Sequence, residues 1–207
     1  MAKEIYKARV IVLNKKLSGE NFIHLTLLSL DRGMVHAMQR KSKRRDSLSP
    51  LDLYDEADCN LEKTDGNDLS FLKDYELIKR RTKIGTHYRS LEIAARISFF
   101  LQSNPIHELN NHSVYSLSNT SLDSLISHPT NAICILIKVL YRYSRDEGFP
   151  VKEDWYSTLP TDDSRWAKTI INTPLAEIKI DTTCQTCVLE SLEIYLDRFT
   201  EISLDSR

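Results

Sequence analysis

Five cations stand within six residues at Arg40, Lys41, Lys43, Arg44 and Arg45, with only Ser42 between them. Like charges packed so closely repel one another, so such a run calls for an anion that neutralises it or for full solvation. Residues 1–48 hold 11 Lys and Arg against 4 Asp and Glu, a net of +7, and the remainder of this chain of net charge −1 stands at −8. Positive charge gathered at one end of a chain is suited to meeting a polyanion, and a nucleic-acid backbone is the first candidate. Lys15, Lys16 and Arg32 flank the run. A second basic cluster follows at Lys79, Arg80, Arg81 and Lys83, where carboxylates such as Asp74 and Glu76 offer the plainer alternative of local ion pairing.

Lys138 is the only charge between Ala132 and Tyr141, and Arg142 follows one turn later. The stem of such a lysine can lie along apolar surface with its ammonium in water. Covalent chemistry finds less support. Cys184-Gln185-Thr186-Cys187 offers half a metal or redox site, with no further ligands and no thioredoxin-like context, and reads as spare thiols. His87, His107, His112 and His128 show no paired ligand spacing, and Asp55-Glu56 reads as the solvent face of a strand. No nucleophile–base pattern or phosphate-cradling glycine loop stands out. The expectation is a protein that is not an enzyme and holds no cofactor or metal.

These charges must be positioned by the elements around them. Ala8 to Leu13 alternates with a period of two, Phe22 to Leu30 is a second strand, and Asp31-Arg32-Gly33 turns it into a third over Met34–Gln39. Leu51 to Glu62 alternates most cleanly, with Asp52, Glu56, Asp58, Asn60 and Glu62 on an acidic outer side. Thr64 to Asp68 is a hairpin connection, and Leu69 to Ile78 is the fifth strand. Five short strands and one long basic loop point to a small closed barrel of the OB type over residues 1–80. From Thr86 the period changes. Helices are expected over Tyr88–Leu101, more weakly over Ser113–Ser127, over Ala132–Glu147, briefly over Arg165–Ile171, and from Thr182 or Thr183 onward. The class is α+β: a barrel domain, then a helical bundle over 81–207.

At this point the chain resembles the bacterial RecO recombination-repair mediators. The likeness lies in the opening strands, the Gly-containing turn, and the Lys/Arg-and-Ser loop Arg40 to Arg45. It continues through Ser49-Pro50-Leu51-Asp52-Leu53-Tyr54 and the helices Tyr88–Leu101 and Ile133–Pro150, the latter with its Gly148-Phe149-Pro150 ending. Two Cys-x-x-Cys pairs that hold zinc in many members are reduced here to one. The resemblance implies an OB-fold that binds and anneals single-stranded DNA through Arg32, Arg40, Lys41, Lys43, Arg44, Arg45, Lys79, Arg80 and Arg81. It also implies docking of the acidic C-terminal tail of single-strand-binding protein at Lys138 and Arg142, and cooperation with RecR in loading RecA. Such a protein is cytoplasmic and nucleoid-associated, and the absence of a signal-like or membrane-spanning run agrees with that expectation. Two other readings stay open: a general RNA- or DNA-binding adaptor, and a scaffold whose basic loop docks an acidic protein.

Overall fold

In the computed structural model, residues 3–41, 50–64 and 68–204 are described. Five strands come first: β1 (Lys3–Ser18), β2 (Phe22–Ser29), β3 (Gly33–Arg40), β4 (Glu56–Thr64) and β5 (Leu69–Lys79). Six helices follow among the described residues: α1 (Tyr88–Ser103), α2 (Asn111–Ser127), α3 (Ala132–Asp146), α4 (Val151–Thr158), α5 (Thr161–Asn172) and α6 (Thr182–Phe199). The sheet is ordered β1-β2-β3-β5-β4 and closes on itself through the β1–β4 pairing. All ladders are antiparallel except β3–β5, where His36 lies opposite Leu69 and Met38 opposite Phe71.

Closure follows from the alternation. Ala8, Val10, Val12, Ile23, Leu25, Leu27, Val35, Ala37, Ala57, Cys59 and Leu61 all point inward and fill one core. Their neighbours in sequence therefore point outward. A bulge in β1 between Val12 and Asn14 lets this long strand bend and pair with both β2 and β4. At the β2–β3 turn Gly33 has a φ of +65°, and a Cβ there would lie 2.9 Å from Asn111 Oδ1. Conformation and close approach both require glycine at this position.

The chain divides into two compact units. One comprises residues 1–82 with 106–119, the other 83–105 with 120–207. This corrects the boundary expected at 80/81, because the first part of α2 groups with the barrel. The reason is one helix face: Asn111, Tyr115 and Asn119 recur every four residues. Asn111 Nδ2 donates to the Asp31 carbonyl at 3.0 Å, the Tyr115 hydroxyl to Glu56 Oε1 at 3.0 Å, and Asn119 Oδ1 accepts from Arg81.

The acidic strand expected from Leu51 begins later, at Glu56. Tyr54 sits in the left-handed region at a φ of 68°, which no strand residue adopts. Residues 52–55 instead form a turn in which Asp55 Oδ2 accepts from the Asp52 N–H at 2.9 Å. In the helical unit α3 is the centre: Ile133, Cys134, Leu136, Ile137, Leu140 and Tyr143 are buried. Residues 155–163 belong largely to α4 and the start of α5. The cap of α6 is Asp181 rather than a threonine, its carboxylate accepting from the N–H groups of Thr183 and Cys184.

Candidate nucleic-acid interface

The outward side of β2, β3 and the start of β5 carries the arrangement most suited to a nucleic-acid strand. Strand pairing puts Lys16, His24, Met38 and Phe71 in one row across β1, β2, β3 and β5. Ser18, Phe22 and Arg40 form the next row. Neighbouring strands are about 4.8 Å apart, so the four-residue row spans about 14 Å. Phe22 meets Phe71 edge-on, with ring centroids 6.4 Å apart, and the His24 and His36 rings stack at 5.4 Å with planes 19° apart. Phe71 is 37% exposed. Such a shelf offers flat, polarisable faces with cations at its margins, as base stacking and phosphate binding require.

The margins are Lys16, Arg40 and Lys73, all exposed, with Lys41 beside them. Lys41 continues the β2–β3 ladder, its N–H donating to the Asn21 carbonyl at 2.8 Å, while its ammonium reaches the Gly19 carbonyl at 3.4 Å. Lys43, Arg44 and Arg45 lie outside the described residues. Arg32 stands at the opposite end of β3 from Arg40, about 25 Å along the strand. Its guanidinium lies over the Tyr6 ring at 4.0 Å and pairs with Glu4 at 3.6 Å. Arg32 therefore does not join the shelf.

The second basic cluster divides. Lys79 is exposed at the end of β5. Arg80 reaches Asp55, itself only 1% exposed, at 3.1 Å and the Pro50 carbonyl at 3.4 Å, so it is committed in part to holding the 52–55 turn. Arg81 overturns its expected role outright. Its side chain is 0% exposed and donates to the Tyr54 carbonyl at 2.8 Å, to Glu56 at 3.4 Å and to Asn119. A guanidinium so enclosed cannot meet a phosphate; it is a structural cation. Arg80 pairs with Asp55 and Arg81 with Glu56, which corrects the solvent-face reading of those two carboxylates.

Lys138 donates to the carbonyls of Ile171 and Thr173 at 3.1 and 2.9 Å, satisfying the C-terminal end of α5. Burial first, then Arg142, lowers its pKa from the ordinary value. Arg142 is exposed. The thiol of Cys184 donates to Asp181 Oδ2 at 2.9 Å, and that carboxylate pushes its pKa up to about 11. A helix N-terminus ordinarily favours a thiolate, so here the capping acid reverses the usual effect. Among the described residues no group of three or more His, Cys, Asp and Glu side chains could hold a metal ion.

Sequence reading missed His24, His36, Met38 and Phe71 as one surface. The signal was present in the odd–even alternation of Phe22 to Ser29 and Gly33 to Arg40, but the parallel β3–β5 pairing that adds Phe71 leaves no local trace. Among the barrel's aromatic residues, Tyr54 is buried and Tyr6 and Tyr75 pack against the core, while Phe22 and Phe71 stand on the shelf. No protein-family model matches the chain, and no curated protein matches it either. No described helix is long and apolar enough to cross a membrane.

Proposed function

We propose that this chain is an OB-type, non-catalytic single-strand-binding protein: a RecO-like mediator that binds and anneals single-stranded DNA in recombinational repair. One observation carries the reading. A five-stranded closed barrel presents, on its β2–β3 face, partly exposed aromatic and imidazole rings edged by Lys16, Arg40, Lys41 and Lys73. OB barrels characteristically use that face and the adjoining loops for oligonucleotides. Phosphates follow the cations and bases rest on the rings, a mode of binding that tolerates sequence. Arg40 stands at the cationic edge of this face, and in the sequence the basic run goes on to Lys43, Arg44 and Arg45.

The partners belong to the same proposal. Docking of the acidic tail of single-strand-binding protein falls to Arg142, since Lys138 is engaged with α5, and action with RecR in the nucleoid follows from the resemblance. Titration of labelled single-stranded DNA, duplex DNA and RNA at matched salt, followed by an annealing assay, tests the central reading. Preference for the DNA single strand with accelerated annealing is expected. Tighter binding to RNA without annealing would favour the general adaptor, and no binding at low salt would favour the scaffold.

A further inference from the structure

Two histidines face each other on the proposed binding shelf, one on each of its central strands. His24 pairs across the ladder with Met38 and His36 with Thr26, so the imidazoles are diagonal neighbours on the outward side. Their rings lie nearly parallel at 5.4 Å. His24 is half-buried and His36 exposed.

The charges that surround His24 are one-sided. From β1, Lys16 lies directly opposite His24; from β3, Arg40 lies two residues beyond Met38; from β5, Lys73 lies two beyond Phe71. Among the described residues, outward positions of β2, of β3 and of the paired end of β1 hold no carboxylate. Glu62 of β4, opposite Phe71, is taken by Lys73 at 3.0 Å. Glu20 lies in the β1–β2 turn, and Asp68, ahead of β5, pairs with Lys63 at 3.5 Å. A proton arriving on His24 thus meets cations, whereas His36 also lines a pocket with Asp31, Asp68 and Glu108. Burial, His36 and Lys16 accordingly hold His24 below its ordinary pKa. What His24 lacks is an anion above it.

We propose that His24 and His36 form a proton-operated grip on the nucleic-acid backbone, taking up a proton as a phosphate settles over them. The inference rests on the single-strand-binding reading and adds its regulation. At neutral pH the rings serve as a stacking surface. As pH falls, an imidazolium at His24 joins Lys16 and Arg40, with the His36 ring stacked beside it. The free protein behaves oppositely. With His24 lowered in the fold, its contribution to stability is present above the ordinary histidine value and is lost as pH falls through the folded value.

The experiment measures affinity for oligo(dT), whose groups do not titrate in this range, from pH 8 to 5.5 at fixed ionic strength. Affinity should rise by up to about tenfold per pH unit below about pH 6.5, the limit for one proton taken up. His24→Asn with His36→Asn should bind more weakly and lose the rise. His112→Asn, at the histidine paired with Asp31 at 3.0 Å, should keep it. In the native protein, the NMR titration midpoint of His24 should move upward on adding oligo(dT), a readout that needs no variant. Salt-dependent binding at pH 8 with no pH-dependent rise and an unmoved midpoint would overturn this inference and leave the parent reading standing. No binding at any pH at low salt would overturn both.

Discussion

A guanidinium with no exposed surface must have its donors met within the protein. Arg81 is met by the Tyr54 carbonyl, Glu56 and Asn119, while Glu56 also accepts from Tyr115. Removing one member strands the others. Arg81→Met should cost about 3–5 kcal/mol, because it leaves a buried carboxylate without its counter-charge. Urea unfolding measures this, and a loss under about 1 kcal/mol would contradict the structural role. Tyr115→Phe should cost less, about 1–3 kcal/mol, since Glu56 keeps its guanidinium. Cys184 makes a separate case. Native Cys184 should label slowly at pH 8, with its pKa at about 11, whereas Asp181→Asn keeps a competent cap and should label faster. Equal rates would show that Asp181 does not control the thiol. The sequence marked Arg81 and Cys184 as notable by type but misjudged Arg81. Nothing in Lys79-Arg80-Arg81 announces that the third cation turns inward, since that depends on a helix residue 38 positions away.

At the scale of elements, the strands were the more readable part. Inward positions of β1, β2 and β3 match the alternation expected from Ala8, Val10, Val12 and Phe22 to Gln39, because a two-sided strand must repeat every second residue. The fourth strand was over-extended toward Leu51, since Leu51 and Leu53 continue the alternation through a turn in which Tyr54 breaks it. Helix α2 reads weakly because Ser and Asn dilute its apolar positions; it buries Val114, Leu122 and Leu125, and a polar face at Asn111, Tyr115 and Asn119 adds hydrogen bonds. The α5 end offers a test of Lys138. Lys138→Met should remove the donor to Ile171 and Thr173 and cost about 1 kcal/mol, with earlier hydrogen exchange in α5. Unchanged exchange would free Lys138 for another role. On the shelf, Phe71→Ala should weaken oligonucleotide binding by about 1–3 kcal/mol per stacked base, with fluorescence anisotropy as the readout.

Across the whole molecule, the charge asymmetry visible in composition has a physical counterpart. The barrel unit places Lys16, Arg40, Lys41 and Lys73 around one face, whereas Arg32, Arg80 and Arg81 serve other ends or the interior. Net charge thus pointed to a class of ligand, but the residues proposed to hold it come together only once five strands close. Everything proposed above requires the β2–β3 face to hold a single strand by phosphate pairing and base stacking. The decisive measurement is oligo(dT) affinity over a salt series, for the native protein and for a Lys16→Ala, Arg40→Ala, Phe71→Ala variant shown to be folded. Log affinity of the native protein should fall linearly with log salt, and the variant should bind weakly, its slope shallower by about 0.7 for each phosphate it no longer neutralises. Native and variant lines that coincide, or an oligonucleotide ignored even at low salt, would contradict it.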